Sequence, residues 1–203
     1  MQDHMELRAT NLHCIRGGRI VFRDCSFELK AGQLLQITGA NGSGKTSLLR
    51  LIAGLGEPAG GALMLRGGQA DLSIGQQAHF IGHSDTVKTA LTVDENIGFW
   101  TGFLGGGQAY EGLAAFDLLR LAAYPAALLS AGQRRRLALA RLVAVPRALW
   151  LLDEPTVGLD KTAQKKLTEA MAAQLAKGGL IIAATHGPLG LEPQARLDLG
   201  GEP

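Results

Sequence analysis

Apolar and polar positions alternate through MELRATNLHCI and RIVFRDCSFEL, and Arg16-Gly17-Gly18-Arg19 lies between the two runs. That period describes strands with one buried face, so the pair predicts an antiparallel hairpin. Beyond it the pattern changes. LLQIT (34 to 38) is an apolar run of strand length, and TSLLRLIAG behind it has helical spacing. GEPAGGALMLRGG (56 to 68) predicts a turn followed by a strand, and AHFIGH (78 to 83) a short buried strand ending in a polar loop. From about Val93 to Val145 the apolar spacing is helical, and TVDENIGFW, YEGLAAFDLLRLAA and GQRRRLALARLVA predict three helices. Gly105-Gly106-Gly107 separates the first two. RALWLLDEP then reads as a strand, KTAQKKLTEAMAAQLAKGG as a helix and LIIAATH as a strand. Strands alternating with helices predict an α/β fold with a mostly parallel sheet, an antiparallel β lobe at the N-terminal end and a helical insert at about 93 to 145. All of it is expected within one domain spanning residues 1 to 203.

The junction between LLQIT and the following helix carries the first chemistry. GANGSGKT, residues 39 to 46, fits G-x-x-x-x-G-K-[ST] in the strand, turn and helix context that a phosphate loop requires. Gly39, Ala40, Asn41, Gly42, Ser43 and Gly44 are small enough for consecutive backbone N–H groups to converge on one anion. The helix that opens at Lys45, Thr46 and Ser47 adds about half a positive charge there. Lys45 is expected to reach the β and γ phosphates of a nucleotide, and the Thr46 hydroxyl to face Mg²⁺.

A second polar group ends an apolar strand at ALWLLDE. Asp153 and Glu154 would stand at its carboxyl end, where an open α/β sheet presents ligand groups. Asp153 is placed to hold Mg²⁺ and Glu154 to polarise the water that attacks the γ-phosphate.

Bulk properties narrow the setting. The 203 residues suffice for a sizeable buried core, and 46% hydrophobic content fits a globular protein. Twenty basic against eighteen acidic residues, net +2, exert no strong pull toward nucleic acid or anionic lipid. RRR at 134 to 136 and QKK at 164 to 166 fall on helical patterns and are expected to be solvated or partner-facing. No apolar run approaches the roughly 20 residues of a membrane span, and the first ten residues lack the basic and apolar pattern of a secretory leader. A cytoplasmic location follows as the expectation. Cys14 and Cys25 form no C-x-x-C pair and read as structural.

Leu129-Ser130-Ala131-Gly132-Gln133 resembles the LSGGQ signature of the ATP-binding-cassette ATPases, and it precedes the acidic strand as in that family. Val157-Gly158-Leu159-Asp160 resembles the family's D-loop, His186 its switch histidine, and LTVDEN (91 to 96) the segment after its glutamine loop. The likeness runs from about Glu6 to about His186. It implies a P-loop NTPase core in which two copies enclose two ATP. Ser130, Gly132 and Gln133 of one copy would then face the γ-phosphate held by the other, with Asp160 at the interface and His186 on the γ-phosphate. Read without the other motifs, Ser130 is simply the N-cap of a helix.

Two positions depart from the general pattern. His83 stands where the glutamine loop offers a metal-contacting amide, and Arg16 where an aromatic ring usually stacks on adenine. A guanidinium plane can also lie on a base, worth roughly 0.5 to 2 kcal/mol. These departures are similar to those of the ATP-binding subunits of cytochrome c maturation systems, the heme exporter A family. GANGSGKTSLLRLIAGL, IGH, LLSAGQRRRLALARL and THGPL carry that likeness, while residues 105 to 128 follow it only loosely. The resemblance implies integral-membrane partner subunits, a second copy of the chain, indirect service to a heme chaperone, and a site on the cytoplasmic face of the inner membrane. Two alternatives stand beside it: the ATPase of another importer or exporter, and an ATP-gated regulatory clamp with little hydrolysis. His4, His13, His79 and His83 have no axial-ligand context and C-x-x-C-H is missing, so heme contact by this chain is not expected.

Overall fold

The computed structural model describes residues 5 to 200; His4 lies outside them. The alternating N-terminal runs form β1 (Glu6–Arg16) and β2 (Arg19–Lys30), antiparallel, with Glu6 opposite Lys30 and Arg16 opposite Arg19. β4 (Gly60–Arg66) pairs with the other edge of β1, giving a three-stranded sheet in the order β2-β1-β4. Cys14 and Cys25 are buried and free in this lobe, and burial pushes the Cys25 thiol up to about 11, which suits inert packing rather than reactivity.

The second sheet contains β3 (Leu34–Thr38), β5 (Ala78–Ile81), β6 (Leu149–Asp153), β7 (Leu180–Ala184) and β8 (Ala195–Asp198) in the order β5-β6-β7-β3-β8. Every neighbouring pair in it is parallel. β7 is apolar throughout, and β6 as far as Leu152, because both faces of these strands are covered. On β6, Leu149 and Leu151 enter one core while Trp150 and Leu152 enter the other; on β7, Leu180 and Ile182 face the first and Ile181 and Ala183 the second. The first core is closed by α1 (Lys45–Ile52), whose Leu48, Leu49, Leu51 and Ile52 pack with Leu7, Leu12 and Leu29 of the antiparallel lobe. The second is closed by α2 (Val93–Phe103), α3 (Ala109–Ala115), α4 (Ala131–Ala144) and α5 (Lys161–Ala176).

Three expectations need correction. The helix read across 110 to 123 stops at Ala115, because Asp117 adopts a left-handed backbone (φ 54°) and the chain turns there. The N–H of Leu118 bonds to the Leu113 carbonyl at 2.8 Å and that of Asp117 to Ala114 at 3.2 Å, the two bonds of a Schellman stop, with Leu113 and Leu118 buried together. The Asp117 carboxylate then meets Lys166 of α5 at 3.1 Å. β8 was not foreseen at all. It is a four-residue edge strand, Ala-Arg-Leu-Asp, whose alternation is too short to stand out from a loop.

The third concerns RRR. Arg135 is buried rather than solvated, because it lies on the inner side of α4, and farther along the helix Arg141 is buried too. Arg141 lies over the Trp100 ring at 4.4 Å and donates to the Thr86 hydroxyl at 3.1 Å and to the Phe80 carbonyl.

Candidate functional site

The loop from Gly39 to Gly44 leaves the carboxyl end of β3 and folds back onto the start of α1. Gly44 caps that helix with φ 101°, and a Cβ there would sit 2.6 Å from Val21 Cγ1 and 2.9 Å from the Phe22 ring. Both conformation and space therefore demand glycine, and β2 presses the loop into shape. The N–H of Ser43 bonds to the Ala40 carbonyl at 3.1 Å. Lys45 is buried, and its ammonium donates to the carbonyls of Gly39 and Ala40, the latter at 3.0 Å. The same ammonium lies 3.2 Å from His186 Nε2, so that nitrogen is the acceptor and His186 is the Nδ1–H tautomer in this arrangement.

β6 and β7 bring the acids to the same place. The Thr46 hydroxyl donates to Asp153 Oδ2 at 2.8 Å, and Asp153 is only 4% exposed. Among the described residues no ion pair involves this carboxylate, and no group of three or more His, Cys, Asp or Glu is poised for a metal. A buried acid without a cation, beside a hydroxyl, suits Mg²⁺, which takes one or two protein oxygens and completes its shell with phosphate and water. The next residue, Glu154, has a left-handed backbone at φ 45°. Its carboxylate accepts from the hydroxyl of the fully buried Thr185 at 2.8 Å, and Thr185 in turn accepts from the N–H of Gly187 at 3.0 Å.

Asn41, Gly42, Gly44, Lys45, Thr46, Ser47, His83, Asp153 and Glu154 line a cleft of about 250 Å³. That is below the usual range of a complete small-molecule pocket, so it fits the phosphate end of a nucleotide rather than the whole. His83 thus lines the cleft with the loop and the two acids. Other expected residues stand apart from this cleft. Ser130 and Gln133 make a reciprocal capping box on α4, with Gln133 N–H to Ser130 Oγ at 3.2 Å and Ser130 N–H to Gln133 Oε1 at 2.8 Å. Asp160 caps α5 by accepting from the N–H of Ala163 at 2.8 Å. A Cβ on Gly132 would stand 3.3 Å from the Gly158 carbonyl, so the start of α4 abuts the loop before α5. Arg16 is exposed at the end of β1, its guanidinium against Gly56.

Two functional candidates escaped the sequence reading. Thr185 was visible only as a polar residue closing an apolar strand, and nothing linear ties it to Glu154. Arg135 carried no signal, since helical spacing does not say which arginine of three turns inward. Of the histidines considered for heme, His79 is buried, its Nε2–H donates to the Val145 carbonyl at 2.7 Å, and burial pushes its pKa down to about 3. His13 lies 3.8 Å from Asp24.

Comparison with known proteins agrees with this geometry. Residues 22 to 157 match the family model described as ABC transporter. The chain belongs to the ABC transporter family. It is thus an ATP-binding cassette with the ATPase fold and activity of that family. Among curated ABC relatives, the cytochrome c biogenesis ATP-binding export protein CcmA of Nitrobacter winogradskyi is 52% identical over 199 residues, covering 97% of this chain and 99% of its own. A solved ATP-binding subunit of an ABC transporter superposes with a TM-score of 0.80 at 27% identity, over 89% of this chain and 79% of that one. A dimeric ATP-binding cassette in a post-hydrolysis state with ADP and Pi shares the fold, with a TM-score of 0.75 at 24% identity over 89% and 88% of the two chains.

Proposed function

We propose that this chain is the ATP-hydrolysing subunit of a membrane complex in cytochrome c biogenesis. The observation that carries the reading is a phosphate loop, a buried acid and a tethered glutamate in one cleft, in a chain 52% identical to a CcmA protein over nearly its full length. Gly39 to Ser47 cradle the triphosphate through backbone N–H groups, and Lys45 exchanges its carbonyl partners for phosphate oxygens. Thr46 and Asp153 would hold Mg²⁺, which would supply charge neutralisation at the phosphates. Glu154 polarises the attacking water while Thr185 fixes its direction. His186 moves from Lys45 to the γ-phosphate, and His83 supplies a hydrogen-bonding imidazole where related cassettes have an amide.

Two copies close around two ATP. Ser130, Gly132 and Gln133 stand clear of their own cleft and serve the neighbour's γ-phosphate, with Asp160 at the interface and Arg16 beside the base. Closure drives integral-membrane partners, and ATP turnover supports release of a heme-loaded chaperone. The chain is a peripheral subunit on the cytoplasmic face of the membrane. No helix among the described residues is long and apolar enough to cross a bilayer.

The test is purification from membranes with accompanying proteins, identification by mass spectrometry, and ATPase assay beside Glu154→Gln. Cytochrome c maturation companions and a loss of roughly 10²-fold in turnover with ATP binding retained are expected. Companions from an unrelated transporter would overturn the biogenesis assignment, and unchanged turnover would remove Glu154 from the mechanism.

A further inference from the structure

Arg135 is the middle arginine of three on α4, and it is 4% exposed. Its guanidinium divides between two segments. Nη1 donates to the Gly82 carbonyl at 2.9 Å and to Asp85 Oδ1 at 3.2 Å. Nη2 donates to the Asp153 carbonyl at 3.3 Å and to the Glu154 carbonyl at 2.9 Å. Gly82 and Asp85 flank His83, while Asp153 and Glu154 are the acids of the cleft. One planar cation therefore ties the helix that begins with Ser130, the loop that carries His83, and the carboxyl end of β6. Removing a guanidinium from water is costly unless its donors are met, and here only Nε lacks a partner.

What Arg135 holds is also unusual. Glu154 is a non-glycine residue in the left-handed region, a conformation that persists only where the surroundings over-determine it. The carboxylate is fixed by Thr185 and the N–H by the Ala184 carbonyl at 2.8 Å. On the carbonyl side, the short bond from Arg135 at 2.9 Å is joined only by a longer one at 3.3 Å, from the N–H of Val157.

We propose that Arg135 is a positioning residue for ATP hydrolysis: it holds the Glu154 backbone in place and makes that hold conditional on the His83 loop through Asp85. The proposal rests on Glu154 as the water-polarising group. A displacement of the 82 to 85 segment withdraws two of the four acceptors, so the guanidinium and the glutamate carbonyl shift together. Lysine cannot replace it, because a point charge cannot bridge two pairs of acceptors that a planar fork spans.

The experiment compares Arg135→Lys, Asp85→Ala, the double variant and Glu154→Gln as full chains with the membrane proteins that co-purify. ATP binding, thermal melting, kcat and KM are measured for each. Arg135→Lys and Asp85→Ala should bind ATP within about twofold of wild type, melt near it, and lose roughly 10-fold or more in kcat. The double variant should be no slower than Arg135→Lys, since both act through one link. Wild-type kcat in both single variants, with Glu154→Gln inactive, overturns the proposal and leaves the Glu154 assignment standing. Affinity and kcat falling in parallel in both variants also overturns it, because general support of the fold would do that. Unchanged turnover in Glu154→Gln overturns the underlying reading and the proposal with it. Should Arg135→Lys fail to fold, Asp85→Ala alone decides by the same split between affinity and kcat.

Discussion

Replacing Thr185 by valine keeps the shape of a fully buried side chain and deletes one hydroxyl with two duties. The first is a 2.8 Å bond to the Glu154 carboxylate; a charge-assisted bond of this kind is worth about 1.5 to 3 kcal/mol. The second is acceptance from the N–H of the half-buried Gly187, which water can partly satisfy, so its loss costs about 1 kcal/mol or less. The penalties fall on the segment after β7 and on the glutamate, not on the phosphate loop. ATP affinity should therefore stay within about threefold of wild type, while turnover drops by roughly 10 to 10²-fold as the carboxylate leaves its line to the attacking water. Thr185→Ser, which keeps the hydroxyl, should restore most of the rate. Equilibrium binding of ATP and steady-state hydrolysis on the same preparations separate the two effects. Wild-type turnover in Thr185→Val, beside an inactive Glu154→Gln, would refute the idea that this hydroxyl aims the base.

Other outcomes follow from neighbouring geometry. Lys45→Ala removes the buried ammonium between the loop carbonyls and His186, so ATP affinity should fall by about 10 to 10²-fold, as expected for a charge-assisted contact; titration by calorimetry showing normal affinity would contradict the phosphate-loop assignment. Ser130→Arg costs the α4 cap about 1 kcal/mol, leaving a folded chain by circular dichroism yet an inactive complex, and full ATPase activity would argue against completion of the site by a second copy. His79 is neutral when folded because burial pushes its pKa from 6.5 to about 3. The unfolded chain thus binds the proton first as pH falls, and this residue's contribution is complete above about 6.5 and lost toward 3. Between pH 7 and 5 the loss should be about 2 kcal/mol in urea unfolding, and His79→Gln should flatten that part of the curve. An equal slope in the variant would assign the acid sensitivity elsewhere.

The parts of the site that could be read in advance are those whose residues are neighbours in the chain. Gly39 to Thr46, Asp153 with Glu154, and Ser130 to Gln133 each compress a geometry into a few consecutive positions, and the flanking periods place them at strand or helix ends. His83 could be placed because it follows the short strand AHFI by two residues, at the position where the family resemblance expects a glutamine. What stayed hidden depends on contacts between distant positions. Thr185 meets Glu154 across 31 residues and Arg135 meets Gly82 across 53, and helical periodicity left the inward Arg135 indistinguishable from its half-buried neighbours Arg134 and Arg136. The early stop of α3 was concealed by the apolar side chains on both sides of Asp117, which continue a helical spacing although the backbone has turned. β8 owes its existence to pairing with β3 rather than to its own pattern.

β6 and β7 send successive side chains to opposite sides, so the two cores share their central wall. The helical half is therefore no detachable module. Deleting it would strip Trp150, Leu152, Ile181 and Ala183 of cover and weaken the strands that carry Asp153 and Thr185. Substitutions that shrink the inner faces of α2 and α3 should therefore destabilise both halves together, and heat should melt both in one transition.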